Sequence, residues 1–157
     1  MVDYKEKYKG IVDELIEKNF PELGGKRILV SETSTWVGKG YSAVAYYLIW
    51  FTFIKISLKL RKYSDLEVKG VLAHELGHVL RFESCGFFGK LWKGFRYFTS
   101  RGARTVEENA CDKIAVERGY ARGLYKFKSL RRKDKRYYDC YLSADDVKKY
   151  AKGVGKW

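Results

Sequence analysis

His74-Glu75-Leu76-Gly77-His78 contains both histidines of the 157-residue chain and has the spacing H-E-x-x-H. On a helix, a residue four places on is displaced by about 40° and roughly 6 Å, one turn along the same face. His74 and His78 can therefore point at one metal ion, while Glu75 lies beside it without having to bind it. A helix with this spacing can hold a zinc ion together with the base that activates its water. No histidine remains elsewhere, so a third ligand has to come from a carboxylate, a cysteine or water.

The helix itself is signalled independently. Ser64-Asp65-Leu66-Glu67 has the capping-box pattern, which predicts a helix running from there to about Phe82. Within it Leu66, Val71, Leu72, Leu76 and Val79 can pack inward. Upstream, Tyr4, Tyr8, Ile11, Val12, Leu15 and Ile16 form one helical stripe over Asp3 to Phe20, and Pro21 ends it. Lys26 to Ser31 reads as a short strand, and Gly38 with Gly40 marks a turn. Tyr41 to Lys59 then reads as one long bent strand or, better, two. Its stretch Phe53 to Leu60 alternates in part, as a strand with one wet face does.

Downstream, Thr105 is the expected N-cap of a second helix, with Glu107 and Glu108 in its first turn and Gly119 as its C-cap. Ser143, with Asp146 three residues on, starts a last short helix. No internal repeat or low-complexity tract is present. The pattern predicts an α+β fold: a small single domain with a twisted sheet, backed by the motif helix and closed by the helix carrying Glu108.

A chain of this length is expected to form one domain, with a core over about residues 51–120, an N-terminal helix over 3–20 and a basic segment over 121–157. A hydrophobic fraction of 46% and an aromatic fraction of 17% exclude a disordered chain. The net charge of +13 implies attraction to acidic partners, nucleic acid or anionic lipid. Gln is absent, Asn occurs only at Asn19 and Asn109, and Met only at Met1. This depletion of thermolabile side chains resembles proteins of hyperthermophiles. Cys85, Cys111 and Cys140 lack C-x-x-C spacing, which argues against a cysteine zinc knuckle. Asp3 to Lys9 is charged and shows no signal-peptide core. The longest uncharged run, Gly40 to Ile54, has fifteen residues, short of the ~20 a spanning helix needs. The expected location is cytoplasmic.

Glu108 and Asp112 stand four apart on the second predicted helix. One can be the third ligand, and the other can accept a hydrogen bond from a ligand histidine and fix its tautomer. Glu107 competes for the ligand role, but it faces about 100° away from Glu108 and has no acid four residues on. His74, Glu75 and His78, followed by Glu108-Asn109-Ala110-Cys111-Asp112, resemble the gluzincin metallopeptidases of the thermolysin-like clan, whose pattern is H-E-x-x-H and then E-x-x-x-D on a separate helix. The surroundings look most like the soluble minimal gluzincins of archaea, which resemble the catalytic cores of membrane prenyl-protein-processing and heat-shock metallopeptidases. The resemblance covers roughly Phe51 to Tyr120. Cys111 departs from it, since the family more often has a small residue there.

That resemblance implies zinc held by His74, His78 and Glu108, with Glu75 as catalytic base and Asp112 as the acid that orients a ligand histidine. The implied reaction is peptide hydrolysis, Glu75 taking the proton of a zinc-activated water and returning it to the leaving amine. For the developing oxyanion, Tyr137, Tyr138, Tyr141 and Arg122 are the candidate donors. In such folds the strand before the motif helix edges the cleft and can pair with a peptide, which points to the segment around Phe53 to Leu58. Small family members can be self-inhibited, and either Met1 to Glu22 or the tail after Leu142 is a candidate for that part.

Between the two site helices, Phe88, Leu91, Trp92, Phe95 and Phe98 fall at helical spacing, with Lys90, Lys93 and Arg96 beside or opposite them. A basic amphipathic element with large aromatics can lie on an anionic membrane surface, fold over the cleft, or pack on the core. A second basic cluster, Lys126 to Arg136, includes Lys128, Arg131, Arg132, Lys133 and Lys135 and can contact phosphates. The expected partners are thus a protein or peptide substrate, with weak association of the basic residues with nucleic acid or an anionic membrane surface. The alternative function is a basic nucleic-acid- or membrane-binding regulator whose zinc site is structural or inactive.

Overall fold

Asp3 starts the first helix, its carboxylate accepting the amides of Lys5 at 3.0 Å and Glu6 at 3.2 Å. The computed structural model describes residues 3–33, 42–47, 51–131 and 140–157. Helix α1 (Tyr4–Asn19) buries Tyr8, Ile11, Val12 and Leu15, and Pro21 closes it as the sequence predicts. The sheet follows as β1 (Ile28–Thr33), β2 (Ala43–Tyr47) and β3 (Thr52–Ser57). Its order is β1-β3-β2, with β1 parallel and β2 antiparallel to the central β3.

That order corrects one expectation. Phe53 to Leu58 lies on or just beyond β3, which is paired on both sides, so it has no free edge for a peptide. β2 is the edge strand next to the motif helix. The predicted alternation through Leu60 also stops at Ser57, where a 3₁₀ turn begins at Leu58. The turn at Gly38 and Gly40 lies outside the described residues.

Helix α2 (Asp65–Glu83) begins at the predicted capping box, with the Ser64 amide donating to Glu67 Oε2 at 2.8 Å. It runs through the middle of the fold and meets β2 on one side and helices of the second half on the other. Val71, Leu72, Leu76 and Val79 pack inward as expected, but Leu66 is exposed. The close approach of a later helix explains this. Gly70 of α2 and Gly123 of α5 (Ala121–Leu130) cross so tightly that a Cβ on Gly123 would stand 2.1 Å from the Leu66 carbonyl oxygen. Leu66 supplies that backbone contact while its side chain points to solvent.

Phe87–Thr99 forms α3, and Arg101–Ala115 forms α4. Thr105 is not the N-cap of α4. Ser100 is, its hydroxyl accepting the Ala103 amide at 3.2 Å, while the Thr105 hydroxyl donates back to the Arg101 carbonyl at 3.1 Å. The residues before Thr105 sustain a helix once Ser100 starts it, so Glu107 and Glu108 lie beyond the first turn. A wide turn over Val116–Tyr120 follows, with Gly119 at φ 97°, and it leads into α5, which the sequence reading left as a basic segment. Last comes α6 (Ala144–Gly153), with its predicted box at Ser143 and Asp146. The buried core draws on Tyr8 of α1 and Val147 of α6 as well as residues 51–120. Among the described residues, no helix is long and apolar enough to cross a membrane.

Candidate metal centre

His74 and His78 occupy one face of α2, and α4 lays Glu108 across that face. Oε2 of Glu108 stands 3.1 Å from His74 Nε2 and 3.1 Å from His78 Nε2. The three potential ligand atoms lie within 4.8 Å of one another, and His74 and Glu108 are buried. This group could hold a metal ion. Tetrahedral coordination with bonds of about 2.0–2.1 Å sets neighbouring ligands about 3.3–3.4 Å apart, close to the spacing observed. Two nitrogens and one carboxylate oxygen are also a donor set that suits zinc.

Asp112 is one turn beyond Glu108 and fully buried. Its Oδ1 lies 2.9 Å from His74 Nδ1, which leaves the other ring nitrogen, Nε2, facing Glu108. Its Oδ2 accepts from Lys128 Nζ at 2.8 Å and from the Leu142 amide at 3.0 Å. Lys128 also donates to the Leu142 carbonyl at 2.9 Å. Sequence reasoning placed Lys128 in a phosphate-contacting surface cluster, and the structure corrects that: it is buried beneath the site. The signal was its position four residues after Leu124 and one after Phe127, on the apolar stripe of α5. Arg132, Lys133 and Lys135 of the same cluster lie outside the described residues.

Glu107 points elsewhere. Arg81 grips its carboxylate through two bonds, 3.0 and 2.9 Å, and Lys93 Nζ stands 2.9 Å away. Its Oε1 is 3.8 Å from His78 Nδ1. Glu107 also falls in a second possible metal-holding group with His78 and Cys111, but its two cationic partners already neutralise it. Cys85, Cys111 and Cys140 are free thiols, Cys111 buried.

Glu75 lies on the β2 side of the helix, where its Oε2 accepts the Ala45 amide at 2.9 Å. Beside it is a cavity of about 10 Å³ whose lining includes Ala43, His74, Glu75, Asp112 and Lys128, no larger than one water. Tyr97 of α3, which sequence reasoning missed, donates its hydroxyl to Glu108 Oε1. It sits off the aromatic stripe, the one sequence clue that it has another task. Tyr141 lies near His74, the rings tilted at 42° with centroids 5.7 Å apart, whereas Arg122 is exposed on α5. Tyr137 and Tyr138 lie outside the described residues. The Tyr47 hydroxyl, on β2, is buried with no hydrogen-bond partner among the described residues.

The electrostatics favour a cation here. Burial opposes a charge on His74, but the Asp112 carboxylate, helped by Glu108, raises its pKa to about 10. Burial likewise opposes charge on Glu108, yet the two histidines hold its carboxyl well below the usual range. For Asp112 burial is again outweighed, by Lys128 and His74. Glu75 goes the other way, since burial pushes its carboxyl up more than the histidines pull it down. The sequence matches no protein-family model and no curated protein.

Proposed function

We propose that this chain is a zinc-dependent peptidase of gluzincin type, described here in a closed form. The observation that carries the reading is the convergence of His74 Nε2 and His78 Nε2 on one Glu108 oxygen, with Glu75 kept out of that group. His74, His78 and Glu108 would hold the ion, and Asp112 would orient His74. Bound zinc supplies an acidified water and polarises the scissile carbonyl.

Everything else falls to this chain's residues. Glu75 accepts the proton of the attacking water and passes it to the leaving amine. Tyr141, beside His74, is the donor to the carbonyl oxygen as charge develops there. The edge of β2 turned away from β3, unpaired among the described strands, pairs with the peptide backbone. The closed form follows from the same contacts. The Ala45 amide occupies Glu75, and among the described residues the cavity beside the base is about 10 Å³, no larger than one water. β2 must therefore shift away from α2 before substrate enters. Leu142, anchored on Asp112, ties the segment before α6 to the site. By contrast α1, the other candidate for a self-inhibiting part, is a core helix.

The test is zinc stoichiometry in the wild type and in Glu108→Ala, Glu107→Ala and Glu75→Ala, with Tyr141→Phe assayed on peptide. One zinc per chain, weakened by Glu108→Ala and kept by the other two, is expected. Tyr141→Phe should lower kcat with zinc content unchanged, and an effect of Tyr47→Phe instead would move the donor to β2. Absence of bound zinc in every form after reconstitution would sink the reading.

A further inference from the structure

Helix α3 packs with its polarity reversed. Lys90 Nζ donates to Glu83 Oε1 at 2.9 Å, Lys93 Nζ meets Glu107 Oε1 at 2.9 Å, and the Tyr97 hydroxyl donates to Glu108. Positions 90, 93 and 97 share one helical face, and that face is the one turned toward α2 and α4. The opposite face carries Phe87, Phe88, Leu91, Trp92, Phe95 and Phe98, each between 57% and 83% exposed. No residue of α3 is buried. At 100° per residue the six fall within an arc of about 140°. Contiguous apolar surface of this kind marks a site of interaction with a protein or a membrane.

Charge selects the occupant. Residues 84–106 contain five basic side chains and no acidic one, and the chain as a whole carries +13. A second copy seated on this face would bring another +13 against it, and that repulsion opposes a dimer. An anionic bilayer offers the complement, a negative surface for the exposed, flanking Arg96 and a headgroup boundary suited to Trp and Phe. We propose that α3 seats the protein on an anionic lipid surface, with Phe88, Trp92, Phe95 and Phe98 at the headgroup boundary. The aromatics, not Lys90 and Lys93, make the contact, because those two lysines are committed inward. The helix is about 10–12 Å thick, so the metal group would stand about one helix diameter above the lipid.

The test is cosedimentation of the full chain with phosphatidylcholine vesicles, with and without phosphatidylglycerol. Binding to the anionic vesicles is expected, weaker on neutral vesicles and at raised salt. Phe95→Ser combined with Phe98→Ser, both exposed, should weaken it at least about tenfold, with folding checked by circular dichroism. As a second readout, brominated lipid should quench tryptophan emission in the wild type and much less in Trp92→Phe. Failure to bind anionic vesicles, or binding that the paired serine variant leaves unchanged, would overturn the proposal. So would a dimer in sedimentation that the same variant dissolves, which would give the face to a second copy. Lipid binding is read without hydrolysis, so its outcome stands apart from the peptidase reading.

Discussion

Lys128 Nζ lies 2.8 Å from Asp112 Oδ2, and both side chains are at most 1% exposed. A lysine on α5 thus holds the acid on α4 that in turn holds His74 on α2. Removing one partner of a buried pair leaves an uncompensated charge, a loss of about 3–5 kcal/mol. Lys128→Met should show that loss in chemical denaturation. Combined with Asp112→Asn it should cost less than the sum of the two single changes, because the stranded charge is gone. Additive losses would show that the pair is not coupled.

Tyr97 reaches the oxygen of Glu108 that does not face the histidines. Side chains in this position fix the orientation of a ligand, and losing one lowers metal affinity by about 10- to 100-fold. On the proposed zinc reading, Tyr97→Phe is expected to weaken metal binding by that factor in a competition with a chromophoric chelator. Its effect on unfolding should be about 1–3 kcal/mol, because the bond is to a buried carboxylate. Unchanged zinc affinity would assign Tyr97 to packing alone.

Gly123 has no space for a side chain: an added Cβ would meet the Leu66 carbonyl oxygen at 2.1 Å, and on Gly70 it would meet the Leu124 amide nitrogen at 2.4 Å. Both obstacles are backbone, so the helices must separate. Gly123→Ala should destabilise the fold by about 1–3 kcal/mol or more, measured by thermal or denaturant unfolding. Because Lys128 is on the same helix, the variant should also loosen the contact with Asp112. An alanine tolerated at no cost would disprove the tight crossing.

Tyr8 is buried, and its hydroxyl has no hydrogen-bond partner among the described residues. Tyr8→Phe should therefore be neutral or stabilising by up to about 1 kcal/mol near neutral pH. Burial, with Glu32 nearby, pushes the Tyr8 pKa from its ordinary 10.0 to about 12. The folded state thus favours the neutral phenol. Its contribution is fully present below pH 10 and is lost as pH rises through about 12. The stability of the wild type should fall more steeply than that of Tyr8→Phe across this window, and parallel curves would contradict the assignment.

The sequence made the pieces of the site legible more readily than their supports. The histidine spacing and the four-residue step from Glu108 to Asp112 are local, and a helix converts each directly into geometry. The starts of α2 and α6 were legible for the same reason, since capping is a contact over a few residues. Lys128 was not, because its partner is on another helix and its charge masked its place on an apolar stripe. Strand order is equally non-local, and nothing within Phe53 to Leu58 says that β1 and β2 will flank it on both sides. The N-cap of α4 was misplaced because Ser100 and Thr105 both carry a capping hydroxyl, and only the fold decides between them. For α3 the amphipathic pattern was clear, but pattern alone does not say which face turns inward.

That inward face has a mechanical consequence. Most helices in a fold bury apolar side chains of their own, whereas no residue of α3 is buried. Among the contacts that hold it is a short row of charged and phenolic ones to Glu83, Glu107 and Glu108, and dissolved ions weaken contacts of that kind when they are partly exposed. The helix is thus fastened over the acids beside the two histidines by polar contacts and not by a buried apolar face.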